Sequence, residues 1–113
     1  MFSAMTREEA LFKTPELSDD LSRVCRRFHV RRLDVFGSSA TGQGFDPNRS
    51  DLDGLVEFEP LPPAEYADAW LGLREALERL VGRPVDLLTE AALENPYLRR
   101  RIEMERQPLF PVS

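Results

Sequence analysis

The 113-residue sequence has one cysteine and one histidine, the residue types that supply sulfur and nitrogen ligands to most zinc sites. Cys25 alone can form neither an internal disulfide nor a Cys-x-x-Cys redox pair, so the chain suits a reducing compartment. His29 stands among arginines at the end of a predicted helix, and we expect it at the surface. These scarcities exclude disulfide scaffolds, cysteine-based zinc sites and histidine-based metal sites.

Acidic residues outnumber basic ones, and long apolar runs are scarce. The sequence has 15 basic and 20 acidic residues, which gives a net charge of −5. A negative net charge disfavours nucleic-acid binding through a basic surface. No apolar run approaches the roughly 18 residues of a membrane span, and the amino terminus lacks the pattern of a signal peptide. We therefore expect a complete cytoplasmic protein that contacts no membrane, binds no nucleic acid directly and holds any phosphate ligand at a local site.

The spacing of apolar residues predicts alternating helices and strands. From Thr14 the apolar residues recur on one helix face as far as His29, and residues 31–36 then alternate as a strand that runs into a Gly-Ser turn. Residues 41–50 are rich in turn formers and predict a loop. Further along, the patterns predict a strand at 51–59, a helix at Pro63–Val81, a strand at 84–89, a helix at 91–106 broken near Pro96, and a short strand at 108–110.

This alternation predicts a small sheet with helices packed against it, in one domain that spans residues 1–113. The class is α/β in the broad sense, or α+β if the sheet is mixed, and connection rules do not determine the strand order. Tyr66 and Trp70 share the apolar face of one predicted helix, so we expect both in the core rather than on a surface that stacks bases.

Gly37 and Ser38 lie where a predicted strand meets a helix start. A glycine there permits close approach of the backbone to a ligand, and free N–H groups at a helix start attract phosphate. An isolated Gly-Ser pair is more often a turn with a hydroxyl cap, so the pair alone does not establish a phosphate site.

Asp51 and Asp53 are separated by one residue on a predicted strand, which places both carboxylates on the same face. Two adjacent like charges repel unless a cation lies between them, and Mg²⁺ is a cation that paired carboxylates and substrate phosphates hold. A solvated strand end is the alternative interpretation. Glu57 lies on the same side of the strand, but four residues or about 13 Å beyond Asp53, too far to share a ligand with it.

Asp86 is a lone carboxylate in an otherwise apolar predicted strand. Because burial of an unpaired carboxylate is costly, Asp86 either faces solvent or shares a ligand. If its strand lies beside that of Asp51, it can join the same face, and a third carboxylate would complete a two-metal site for phosphoryl chemistry.

Three segments together resemble a known family. Leu33-Asp-Val-Phe-Gly-Ser-Ser-Ala-Thr-Gly, Ser50-Asp-Leu-Asp-Gly-Leu-Val-Glu-Phe and Val85-Asp-Leu-Leu look like the motifs of minimal nucleotidyltransferases of the DNA polymerase beta superfamily. The segment from Asn95 to Phe110 is similar to the ending of small prokaryotic proteins of the MNT type, which are often encoded beside a HEPN-domain partner. The resemblance implies a short mixed sheet flanked by helices.

The resemblance also implies a role for each motif residue. Gly37 and Ser38 are expected to hold the triphosphate of ATP, and Asp51 and Asp53 to coordinate two Mg²⁺ ions. Asp86 matches the third carboxylate of the family, which binds the catalytic metal and acts as, or near, the general base for the acceptor hydroxyl.

The function implied is that of an antitoxin enzyme that transfers AMP from ATP to a tyrosine hydroxyl of a HEPN-type toxin. The alternative is a non-catalytic antitoxin that neutralises a HEPN RNase by binding alone, and a weaker third candidate is transfer to a small molecule. Assembly as a homo- or hetero-oligomer stays open. Arginine clusters, among them Arg99, Arg100 and Arg101, are either solvated faces or positive patches that dock a partner protein or an RNA end.

Overall fold

A computed structural model describes residues 15–37 and 52–111. Its elements are α1 (Pro15–Arg27), β1 (Val30–Val35), β2 (Leu52–Phe58), α2 (Pro63–Val81), β3 (Val85–Leu88), a 3₁₀ helix (Glu90–Glu94), α3 (Pro96–Glu105) and β4 (Gln107–Phe110). Each predicted element within these ranges is present, and the helical segment near the carboxyl end is divided just before Pro96, as expected. The predicted loop at 41–50, together with Ser38 and Asp51, lies outside the described residues.

The four strands form one mixed sheet in the order β3-β2-β1-β4. β1 pairs antiparallel with both β2 and β4, whereas β2 and β3 run parallel and are connected through α2. A parallel pair needs such a crossover connection, because a tight turn can only reverse the chain. The mixed sheet makes the fold α+β, as the resemblance implies, and supplies the strand order that sequence patterns left open.

The ends of the helices follow local chemistry. α2 begins at Pro63, whose missing N–H would have no partner in the first turn, and ends at Gly82, whose φ of 70° is the left-handed conformation that glycine adopts readily. At the start of α3 the Asn95 side chain accepts hydrogen bonds from the backbone N–H groups of Tyr97 and Leu98. His29 is exposed after α1 and also has a positive φ, at 60°, where the chain turns into β1.

One face of the sheet packs against α1 and α2 and carries the main core. The largest fully buried side chains there are contributed by both helices and by β1 and β2: Leu21, Cys25, Leu33, Val35, Val56, Leu73 and Leu77. The opposite face packs against the 3₁₀ helix and α3 through a smaller cluster of Phe36, Leu55 and Ile102, with Leu88, Leu93 and Leu98 partly buried around it. Among the described residues, no helix is both long and apolar enough to cross a membrane.

The two aromatic residues of α2 have different environments. Trp70 is half-buried against the main core and donates a hydrogen bond from Nε1 to the Leu87 carbonyl at 3.0 Å, as expected for a core residue with one polar atom. The same expectation is wrong for Tyr66, which is 36% exposed and contacts Phe58 edge-on with ring centroids 5.1 Å apart. Tyr66 lies near the start of α2, where the helix extends past the edge of the core.

Truncation of Leu73 tests the main core against a neighbour on the same helix. Leu73 is fully buried, whereas Leu71, two residues earlier, is 46% exposed. We expect Leu73→Ala to lower the free energy of unfolding by about 2–5 kcal/mol and Leu71→Ala by no more than about 0.5 kcal/mol. Urea denaturation measures both, and equal losses would contradict the assignment of the α2 face.

The reactivity of the Cys25 thiol provides a second test of the main core. Desolvation raises the pKa of Cys25 from 9.0 to about 12, so the folded protein keeps the thiol neutral well above pH 8. The stability that this neutral burial contributes is present below pH 9 and is lost as the pH rises towards 12. We expect iodoacetamide at pH 8.5 to alkylate Cys25 in urea but not in the native protein, as measured by mass spectrometry; fast native alkylation would contradict the burial.

Candidate active site

The parallel strands β2 and β3 start side by side and bring two predicted site residues together. Their register pairs Leu52 with Val85 and Asp53 with Asp86, and the Leu52 N–H donates to the Pro84 carbonyl at 3.0 Å just before the pairing begins. Register partners on adjacent strands lie about 4.8 Å apart. The Asp53 and Asp86 positions are therefore direct neighbours in the sheet.

Both carboxylates lie on the sheet face that α3 covers. Leu52 and Val85 are buried in the main core on the other face, and side chains alternate along each strand. Two residues further along, Leu55 and Leu88 belong to the smaller cluster under α3. Asp53 is half-buried and Asp86 is exposed, so this edge of the sheet is open to solvent.

Gly37 follows β1 and lies against the Asp53 carboxylate. The Phe36 N–H donates to the Asp53 carbonyl at 3.1 Å, which ties the end of β1 to the start of β2. Gly37 has a φ of 67°, and a Cβ at this position would stand 2.8 Å from Asp53 Oδ2. Only glycine combines this backbone conformation with so close an approach to the carboxylate.

The described residues contain part of the expected constellation. Gly37, Asp53 and Asp86 come together, whereas Ser38 and Asp51 adjoin them in sequence but lie outside the described residues. Within residues 15–37 and 52–111, no group of three acidic, histidine or cysteine side chains is placed to hold a metal ion. The carboxylate pair nevertheless offers the hard oxygen donors that suit Mg²⁺, and a cation would offset the repulsion between two adjacent negative charges.

A buried ion pair that sequence reasoning did not identify lies on the same face of β1. Asp34 is fully buried and is held by two arginines: Arg32 Nε lies 3.0 Å from Asp34 Oδ2, and Arg106 donates to the same oxygen. A buried carboxylate without such partners would be strongly destabilising. Because Arg106 joins α3 to β4, the pair ties that junction to β1. Its one sequence signal is a lone acidic residue between Leu33 and Val35.

Glu57 takes no part in the carboxylate pair. It lies four residues beyond Asp53 on the same face of β2 and accepts from Arg31 Nη1 at 3.1 Å. The expectation that Glu57 stands apart is confirmed by this separate ion pair.

Comparison with known proteins decides the family. A family model described as a nucleotidyltransferase domain matches residues 19–109, which include the Gly37 turn and both paired carboxylates. The chain belongs to the nucleotidyltransferase domain family. The resemblance seen in the sequence motifs is thus confirmed, and the molecule is a nucleotidyltransferase.

Relatives of this nucleotidyltransferase carry names in the same class. A candidate protein adenylyltransferase of Methanocaldococcus jannaschii is 35% identical over 77 residues, 68% of this chain and 74% of the relative. The protein adenylyltransferase MntA of Thermococcus cleftensis is 39% identical over 69 residues, 61% of this chain and 65% of the relative.

Solved structures share the fold. A candidate minimal nucleotidyltransferase is 32% identical with a TM-score of 0.60, over 95% of this chain and 99% of that chain. A chain of a toxin–antitoxin crystal structure with AMP-PNP is 19% identical with a TM-score of 0.58, over 85% of this chain and 74% of that chain. The expected nucleotidyltransferase fold is confirmed by these likenesses.

Two glycines with the same backbone conformation test the close approach at Gly37. Gly37 and Gly82 have φ values of 67° and 70°, but a Cβ at Gly82 would meet nothing within 4 Å. We expect Gly82→Ala to cost about 1–2 kcal/mol from left-handed strain alone, and Gly37→Ala to cost about 1–3 kcal/mol more because the methyl group displaces the Asp53 carboxylate.

A double-mutant cycle tests whether the Asp53 carboxylate causes the additional free-energy cost of Gly37→Ala. In an Asp53→Ala background the cost of Gly37→Ala should fall to that of Gly82→Ala, as measured by urea denaturation. An unchanged cost in that background would mean that the carboxylate is not what excludes a side chain at Gly37.

Proposed function

We propose that this nucleotidyltransferase transfers AMP from ATP to a tyrosine hydroxyl of a HEPN-type toxin and thereby acts as its antitoxin. The observation that supports the chemistry is the side-by-side placement of Asp53 and Asp86 with Gly37 against the Asp53 carboxylate. The MntA relative, named a protein adenylyltransferase, supports a protein as the acceptor. The toxin partner and the tyrosine are implied by the MNT-type resemblance.

Each predicted site residue has a role in the proposed site. Asp51 and Asp53 would coordinate two Mg²⁺ ions, and Asp86 would bind the catalytic one of them. Gly37 and Ser38 would hold the triphosphate through the backbone of the turn, where the lack of a side chain at Gly37 lets phosphate oxygens come close.

The reaction is a displacement at the α-phosphorus. The acceptor hydroxyl oxygen bonds to that phosphorus, the bond to the oxygen that bridges to the β-phosphorus breaks, and pyrophosphate leaves with the bonding electrons. The hydroxyl proton passes to Asp86, and AMP stays esterified to the acceptor. When bound, Mg²⁺ supplies positive charge that offsets the charge on the phosphates.

The exposure of Asp86 supports an acceptor carried by another protein. A carboxylate at an open edge of the sheet can be reached by a side chain that projects from a partner surface. The half-buried Asp53 lies deeper, nearer to the Gly37 turn, where the proposed metal and phosphates would bind.

Transfer of a labelled phosphate tests this proposal directly. The purified protein is incubated with Mg²⁺, the protein encoded by the neighbouring gene and ATP labelled at the α- or the γ-phosphate. We expect α-label but not γ-label on the neighbour, and a loss of at least about 100-fold in the rate with Asp53→Asn or Asp86→Asn, because each removes a carboxylate from the metal site.

Glu57→Gln is the matched control, since Glu57 lies on the same face of β2 but pairs with Arg31 away from the site. It should transfer label at the wild-type rate. A neighbour that forms a stable complex, is neutralised and stays unlabelled would instead favour the binding-only antitoxin. Neutralisation that survives Asp53→Asn would favour the same alternative.

A further inference from the structure

Arg101 of α3 and the Asp53 carboxylate both lie close to Gly37. A Cβ at Gly37 would stand 2.8 Å from Asp53 Oδ2 and 3.5 Å from Arg101 Nη2. The guanidinium of Arg101 therefore lies beside the turn that follows β1, with the carboxylate close by. In the sequence, Arg101 belongs to a basic cluster with Arg99 and Arg100.

Helix geometry separates Arg101 from its neighbours. Leu98, Arg101, Ile102 and Glu105 follow the spacing of one helix face, and Leu98 and Ile102 are packed under α3 against the sheet. All three arginines are exposed, but Arg99 and Arg100 project at other angles around the helix axis. Arg101 is thus carried to the site by the face that anchors α3.

Glu105 lies beside the Arg101 guanidinium. Its Oε2 lies 3.5 Å from Arg101 Nε, and this oxygen is buried without a hydrogen-bond partner among the described residues. This ion pair lies on the Nε side of the guanidinium, whereas Nη2 lies on the side of Gly37. The guanidinium is a planar set of N–H donors, and those on Nη2 lie nearest to Gly37.

A nucleoside triphosphate at this site brings several negative charges next to Asp53 and Asp86. A positive group near the turn would lower that repulsion, and arginine binds phosphate oxygens through two parallel N–H donors. The distance from Gly37 makes Arg101 suited to the part of the triphosphate that the turn holds.

We propose that Arg101 binds the β- and γ-phosphates of the nucleoside triphosphate and stabilises the departing pyrophosphate. This role rests on the proposed nucleotidyl transfer and adds a specificity: Arg101 distinguishes a triphosphate from a monophosphate.

The same helix supplies a control with the same chemistry. Arg99 and Glu103 form an ion pair with the same spacing of four residues, with Arg99 Nε 3.1 Å from Glu103 Oε1, and both side chains are more than half exposed. Arg99→Gln removes an equivalent charge and an equivalent surface pair but leaves the Gly37 turn untouched.

Calorimetric titration of the full chain with ATP and with AMP, both with Mg²⁺, measures the proposed contact. For Arg101→Gln we expect ATP affinity to fall roughly 10- to 100-fold with AMP affinity unchanged, and for Arg99→Gln no change in either. Arg101→Lys should restore part of the ATP affinity, since it keeps the charge and loses the paired donors. Thermal unfolding confirms that each variant folds.

The outcomes separate this inference from the proposed function. If the Arg101→Gln variant binds ATP as tightly as the wild type, the role of Arg101 is overturned while the proposed transfer stands. An equal loss for ATP and AMP also overturns it, because the guanidinium would then support the site rather than contact the outer phosphates. Absence of ATP binding by the wild type overturns both proposals.

Discussion

The parallel register of β2 and β3 is the constraint on which the candidate site depends. Leu52 and Val85 are buried as partners in the main core, and the next pair along the two strands is Asp53 and Asp86. Alternation then places both carboxylates on the opposite face. A shift of one residue in either strand would turn its carboxylate into the core, so burial of the apolar partners keeps the acidic pair in place.

A second interaction connects this pair to the rest of the fold. Asp34 lies in β1 and forms an ion pair with Arg106, which lies between α3 and β4. β1 ends in the turn at Gly37, and α3 carries Arg101. The buried carboxylate thereby relates the position of α3 to that of the Gly37 turn. A buried ion pair is a weak source of net stability, but removal of one partner leaves a costly charge, so it restricts which arrangements the chain can adopt.

Local patterns were sufficient for the elements and for part of the site. The periodicity of apolar residues predicted the helices, and Pro63, Gly82 and Pro96 predicted where they begin and end, because proline and glycine act through their own backbone. The core expectation failed at Tyr66, since periodicity shows which face a residue shares but not how far the core extends along a helix. Asp34 and Arg106 are 72 residues apart, and no local pattern relates them.

The sequence by itself determined the kinds of groups available and their local spacing: a glycine after a strand, acidic residues one position apart, a lone aspartate between apolar neighbours. Those features were sufficient to indicate a nucleotidyltransferase, because the motif combines residue type with order along the chain. Only the tertiary structure decided that Asp86 lies beside Asp53 and that Arg101, rather than Arg99, reaches Gly37. Strand order and helix packing are set by burial of residues distant in sequence, and these contacts have no local signature.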